Sequence, residues 1–132
     1  MIQVFKGAIS AILTFFIYWL GGWDIALQSL LVMIVIDYIT GVSKAYVTAT
    51  LNSSKGLKGI VKKISLLMLV AVATVTDNLA GDTGLIRTLV IYYIVANEGL
   101  SILENLGAMG IIVPQFLIDK LEKLKNGEHN EI

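Results

Sequence analysis

Four acidic side chains lie within long apolar stretches of the sequence: Asp37, Asp77, Glu98 and Glu104. Carboxylates held together at membrane depth could bind a hard cation or relay protons. The chain has no cysteine, and its single histidine, His129, lies in the polar C-terminal tail. It therefore lacks a thiolate metal site, a Ser/His pair, an H-E-x-x-H motif and a nucleophile elbow. We expect no enzymatic activity, no bound metal and no cofactor.

The most polar of these stretches runs from residue 85 to 106 and is long enough to cross a bilayer. Wound as an α-helix at about 100° per residue, it gathers its polar side chains into an arc of roughly 120°. This polar stripe consists of Arg87, Asn97, Glu98, Ser101, Glu104 and Asn105. The residues expected to face away are Leu89, Tyr92, Val95, Ala96, Gly99 and Leu103.

A charge that faces hydrocarbon costs at least about 2.5–3.5 kcal/mol, so the polar stripe must face other helices or water. Two interpretations follow. The stripe is either a packing face that fixes the assembly of one small bundle, or a face that lines an aqueous lesion after self-assembly. An ionised Glu98 needs water or a cation such as Lys44 or Lys62, whereas a protonated Glu98 can donate a hydrogen bond between identical helices.

The composition indicates a membrane protein with several spans. Of 132 residues, 56% are hydrophobic, the mean hydropathy is +0.80, and the apolar residues come in long blocks. Ten basic and ten acidic residues give a formal net charge of zero, so no basic surface points to nucleic acid. We expect one transmembrane domain over residues 1–125 and a polar tail over residues 126–132.

Four apolar blocks predict an all-α membrane protein with about four transmembrane helices. They cover residues 7–20, 25–47, 64–80 and 85–106 and are separated by turn signals such as Gly21-Gly22-Trp23-Asp24. The first block is short, so three spans are possible. After Pro114, Leu117, Leu121 and Leu124 share one face of a short amphipathic helix. That helix should lie on the membrane or pack on a neighbour.

Charges also occur in the second and third blocks. Asp37 and Lys44 fall on one helical stripe with Gly41, and Asp77 lies near the end of the third block. An acid at this depth needs water or a partner, within its own helix or on another. Between these blocks we predict a cationic loop at the membrane interface that touches lipid phosphates. Its lysines are Lys55, Lys58, Lys62 and Lys63.

Lysine asymmetry predicts the orientation, because cytoplasmic segments are enriched in Lys and Arg. Four spans with both termini in the cytoplasm place the lysine loop, Lys6 and the C-terminal lysines on the same side. The two opposite turns carry Asp24, Asp77 and Asp82 with Arg87 as their only basic residue. We therefore expect a multi-pass protein of the cytoplasmic membrane.

Two motifs carry a family resemblance over nearly the whole chain. Asp37-Tyr38-Ile39-Thr40-Gly41 comes first, and the run from Asn97 to Asn105 reads N-E-G-L-S-I-L-E-N. Between them lies S-K-G-L-K-G-I over residues 54–60, followed by Lys62-Lys63 and Asp77, and Gly110 and Pro114 come afterwards. The chain resembles the phage holins of the toxin-secretion/phage-lysis type.

The resemblance implies a small inner-membrane protein that oligomerises and permeabilises the membrane at a set time. Its functional partner would be a murein-degrading endolysin or an exported toxin, which it need not contact directly. Small-residue helix faces also favour self-assembly in the bilayer. Two other functions stay open: a non-lytic membrane module, such as an antiholin or an accessory secretion subunit, and a small cation or proton channel.

Overall fold

The computed structural model describes residues 1–81 and 83–128. Within these residues the chain forms five α-helices and no strand: α1 Ile2–Trp19, α2 Ile25–Val47, α3 Ser53–Ala80, α4 Leu85–Ala108 and α5 Gln115–Lys125. The first four are long and apolar enough to cross a membrane. The predicted all-α fold with four spans and a short C-terminal helix is confirmed. Asp82, His129 and the rest of the predicted tail beyond residue 128 lie outside the described residues.

Side chains of the turn segments fix where two of the spans begin. The Asp24 carboxylate accepts a hydrogen bond from the Leu27 amide at 2.9 Å and caps α2. The Asn52 side chain accepts one from the Ser54 amide at 2.8 Å and caps α3. Such caps satisfy amides that have no partner within the helix. Because α3 begins at Ser53, the lysines from Lys55 to Lys63 form the first turns of a helix and not the predicted loop. Their contact with lipid phosphates stays a prediction.

The apolar core lies between three of the spans. Leu27, Leu30 and Ile34 of α2 pack with Val70 of α3 and with Ile91 and Ile94 of α4. Among the described residues, α4 contacts α2, α3 and α5. Helix α4 is therefore enclosed on several sides. Ala96 and Gly99 are buried, against the prediction that they face away from the bundle, because α2 and α5 cover that side.

Helix α5 packs along α4 rather than lying apart on the membrane surface. Leu121 lies next to Gly99, where a Cβ would stand 3.0 Å from a Leu121 methyl carbon. One turn further along α5, the Lys125 ammonium is 5.9 Å from the centre of the Tyr93 ring. Later residues of α5 thus meet earlier residues of α4, so the two helices run antiparallel.

Helix α1 stands at the edge of the bundle. None of its residues is buried, and among the described residues it touches only α3. Large apolar side chains such as Phe5, Phe15 and Phe16 are exposed along it. A lipid environment can cover these side chains, so the isolated position of α1 fits a membrane-spanning helix.

Candidate functional site

One ammonium group joins two carboxylates in the interior of the bundle. Lys63 of α3 forms ion pairs with Asp37 of α2 and with Glu98 of α4. The Asn105 amide donates hydrogen bonds of 3.2 Å to the other Asp37 oxygen and to the Thr40 hydroxyl. We call Asp37, Lys63, Glu98 and Asn105 the Lys63 cluster. It connects all three helices that form the core.

The Lys63 cluster lies near the middle of the spans. Glu98 follows the start of α4 at Leu85 by about 20 Å and precedes its end at Ala108 by about 15 Å, at a rise of 1.5 Å per residue. Asp37 is similarly far from both ends of α2. The Asp37, Glu98 and Lys63 side chains are only 8%, 5% and 19% exposed. Hydrocarbon depth and burial together make these charges costly unless they compensate one another.

The compensation within the cluster is incomplete. Two carboxylates share one ammonium, so the cluster has one surplus negative charge when all three groups are ionised. A proton, a second cation, water or a polar group of another chain can balance it. Beside the cluster, a cavity of about 310 Å³ is lined by Tyr38, Ser101 and Lys62 and extends to the α2–α3 turn at Asn52. This cavity connects the cluster with one end of the bundle, where α2 turns into α3.

A second charge network closes the opposite end of the bundle. The Arg87 guanidinium donates hydrogen bonds of 2.7 and 3.1 Å to the two Asp24 oxygens. It also donates to the Leu20 and Gly22 carbonyl oxygens, at 2.6 and 3.2 Å. The geometry leaves no room at Gly21, where a Cβ would overlap the Arg87 side chain. Arg87 thus fastens the α1–α2 turn to the beginning of α4.

Asp77 of α3 caps α4 from outside that helix. Its two carboxylate oxygens accept hydrogen bonds from the Ile86 and Arg87 amides, at 3.0 and 2.7 Å. A negative charge is also favourable at a helix N-terminus because of the helix dipole. Asp77 is 2% exposed, so its charge is compensated by backbone amides.

Asp24 is the titratable group of this network that lies outside the spans. Its hydrogen bonds to Arg87 hold the pKa of the Asp24 carboxyl below its ordinary value, and the partial burial of the group only offsets part of this effect. The Asp24 side chain is 47% exposed, which limits the contribution of the ion pair to stability.

The structure divides the predicted polar stripe. Arg87, Glu98 and Asn105 are buried, Asn97 and Ser101 are half-buried, and Glu104 is exposed. The stripe therefore serves two separate networks, one at the start of α4 through Arg87 and one from its middle onwards through Glu98 and Asn105. Sequence reasoning placed Asp24 in a turn and missed Arg87 as its partner, although Arg87 is the only basic residue of the two turns predicted on that side.

The predicted cationic partners of Glu98 were wrong. The structure places Lys63 there, whereas Lys62 is exposed. Within the described residues Lys44 forms no ion pair, although it is half-buried on α2 with Asp37. Lys55 and Lys58 are exposed near the start of α3. The helical periodicity explains the difference: Lys63 lies on the α3 face that carries Val70 and Asp77, and Lys62 does not.

The fold and its two networks define a small multi-pass membrane protein whose spans are joined by buried ions. Residues 14–126 match the model of the bacteriophage holin family, and the chain belongs to that family, which is not a family of enzymes.

Relatives extend the match to the full length. A 14.9 kDa protein of the nagH 3' region of Clostridium perfringens is 42% identical over 127 residues, which cover 96% of each chain. A protein of Bacillus phage phi105 named "Probable holin" is 35% identical over 100 residues, covering 76% of this chain and 74% of the relative. YqxH of Bacillus subtilis is 36% identical over 76% of this chain and 71% of the relative. No solved structure matches the chain.

Proposed function

We propose that this protein oligomerises in the bacterial cytoplasmic membrane and permeabilises it, so that an endolysin or an exported toxin leaves the cell. Membership of the bacteriophage holin family and the similarity to a probable phage holin support this function. The observation that carries it is the Lys63 cluster, which brings two carboxylates and one ammonium to the middle of the spans.

The cluster favours assembly for an electrostatic reason. A small bundle that keeps a surplus charge at hydrocarbon depth is stabilised when water or polar groups of neighbouring chains reach that charge. Asn97 and Ser101 are half-buried on α4 beside Glu98 and can hydrogen-bond to another chain, at about 0.6–2 kcal/mol per bond in lipid. Association and hydration of the cluster therefore support each other, as the conversion from monomers to an aqueous lesion requires.

The proposed orientation has both termini in the cytoplasm. The exposed lysines at the start of α3, Lys55, Lys58 and Lys62, then meet the cytoplasmic leaflet, where anionic lipids attract basic residues. The Arg87–Asp24 network lies at the outer face. The partners that we propose for this protein are the lipid bilayer and further copies of the same chain.

Regulated expression in a host without prophage tests the proposal. We expect normal growth during accumulation, then an abrupt loss of membrane potential and release of a co-expressed endolysin. Glu98→Gln keeps the shape and hydrogen bonding of the side chain, and should assemble with altered timing. Glu98→Leu removes both properties and should give an inserted protein that neither forms cross-linked ladders nor lyses cells. Glu128→Gln, an exposed carboxylate beyond α5, is the matched control.

The same experiment separates the alternative functions. Growth without any loss of potential would identify a non-lytic module. A steady proton or cation leak that begins with expression and never becomes abrupt would indicate a channel in which the two carboxylates conduct. If Glu98→Leu forms the same ladders and kills on schedule, the polar stripe serves only packing.

A further inference from the structure

Helix α5 lies at the depth of the membrane-spanning helices. Leu121 is next to Gly99, which is about 14 Å from the end of α4 at Ala108. Lys125 reaches Tyr93, about 12 Å from the opposite end of α4. The second half of α5 therefore lies alongside the middle of α4.

The outer face of α5 is too polar for lipid at this depth. Asp119 and Glu122 are exposed there, and a charge facing the bilayer centre costs at least about 2.5–3.5 kcal/mol. The Gln115 amide donates a 2.9 Å hydrogen bond to Asp119, which does not remove the charge of the carboxylate. With α4 across a bilayer, α5 is therefore poorly matched to the position it occupies.

The surface under α5 is shaped to receive a helix. At one end of this surface is Gly99, where an added Cβ would meet Met33 and Leu121 side-chain carbons at 2.9 and 3.0 Å. Towards the outer end, Leu124 sits over a depression lined by Ala26, Ser29 and Val95. We call this surface, from Gly99 to Ala26, the α5 groove. Small residues of this kind allow close helix packing in lipid.

Helix α1 has the length, polarity and direction to fill the same groove. It has 18 residues and none is buried, and its only charged side chain is Lys6 near its start. When all four spans cross the bilayer, α1 runs opposite to α4, as α5 does. Gly7, Ala11 and Thr14 share one face of α1, which can approach Gly99 closely.

We propose that the α5 groove is the docking site for α1 of a second copy of this chain, and that α5 covers the groove until α5 is displaced. This interface deepens the proposed function and rests on it, because it supplies a head-to-tail contact. Such a contact leaves an α1 and a groove free at the two ends of any open chain of subunits, so assembly can continue until a ring closes. Displacement returns the charges of α5 to water and replaces them with an apolar helix.

Cross-linking between differently tagged copies tests the interface in a background that has no native cysteine. One copy carries Ala11→Cys and the other Val95→Cys, which lie at similar distances, about 12 and 15 Å, from the outer ends of their helices. Both copies also carry Leu121→Asp and Leu124→Asp to release α5. We expect the mixed cross-link to increase several-fold over the pair with native α5. Phe116→Asp, at an exposed α5 position, should leave it unchanged.

A second experiment tests the role of α5 by fixing it in the groove. Met33→Cys and Leu121→Cys in one chain, joined by a short reducible cross-linker, should prevent the mixed cross-link and delay loss of membrane potential until reductant is added. Phe16→Cys in place of Ala11→Cys moves the probe to the opposite face of α1 and should give little product.

The outcomes separate the two proposals. Two outcomes would overturn the interface alone. In one, cells depolarise on schedule although α5 is fixed in the groove. In the other, copies cross-link through other faces but never from position 11 to position 95. If no pair of positions cross-links and no variant depolarises the membrane, both the interface and the proposed function are wrong.

Discussion

Removal of the shared ammonium is the most direct test of the charge arrangement. In Lys63→Met the side-chain stem is kept, but Asp37 and Glu98, whose side chains are 8% and 5% exposed, lose their common partner. Breaking a buried pair by deleting one member costs about 3–5 kcal/mol, because a charge is left uncompensated. Here one ammonium serves both carboxylates, so its removal breaks a single network, and we expect a loss near that range.

A compensating variant isolates the electrostatic part of this loss. Asp37→Asn and Glu98→Gln, combined with Lys63→Met, leave neutral groups of similar shape, and replacement of a whole buried ion network is often close to neutral in stability. The triple variant should therefore recover most of the free energy of unfolding that the single variant loses. Asn105 can still donate to residue 37 through its amide, as it does in the native protein.

The assay is denaturant unfolding of purified protein in a mild detergent, followed by helical signal, with the amount of protein in the membrane as a cellular measure. Lys6→Met, which removes an exposed ammonium from α1, controls for net charge and should lie within about 0.5 kcal/mol of the native protein. A Lys63→Met protein as stable as the native one, or a triple variant no better than the single, would refute the proposed role of Lys63.

Three other predictions concern the membrane faces. In intact cells an impermeant thiol reagent should label Thr83→Cys but not Asn52→Cys, and external labelling at position 52 would contradict the four-span orientation. Because Arg87 lowers the pKa of Asp24, the pair stabilises the fold above the ordinary carboxyl pKa. That contribution, about 1 kcal/mol or less for so exposed a group, is lost as pH falls through the lowered value. Asp24→Asn should flatten this acid limb in unfolding curves recorded from about pH 6 to about pH 3, a range around the reference carboxyl pKa, and an unchanged slope would count against the pair. Gly21→Ala should lower stability by more than Gly22→Ala, because both glycines have positive φ, 88° and 105°, but only the first Cβ would overlap Arg87; equal thermal shifts would show that backbone strain alone matters.

The helices could be predicted from the sequence, because long apolar blocks of this kind are typical of transmembrane helices. The polar face of α4 could be predicted equally well, because Arg87, Glu98 and Asn105 fall on one side of an α-helix, which turns by about 100° per residue. Partner assignment was harder. Lys62 and Lys63 are adjacent in sequence, and only the rotation of α3 in the bundle decides which one reaches Glu98.

The position of α5 could not be read from its own pattern. Leu121 and Leu124 indicate an apolar face but do not say what it covers, and the alternatives of membrane surface and neighbouring helix were both consistent with the sequence. Gly99 is the residue that decides between them, because its missing side chain lets Leu121 approach α4. A glycine within a helix signals such a contact only when the other helix is known.

The order in which the partners appear along the chain has a consequence for biogenesis. Among the described residues, every group that the Arg87, Glu98 and Asn105 side chains bind lies earlier in the sequence, from Leu20 to Lys63. During synthesis, α2 and α3 therefore enter the bilayer with Asp37 and Lys63 as a balanced pair, and the nascent hairpin is electrically neutral at its centre. Only when the ribosome delivers α4 does Glu98 arrive and unbalance it. Translation of α4 thus adds a second carboxylate to a helix pair that until then paired one acid with one base at this depth.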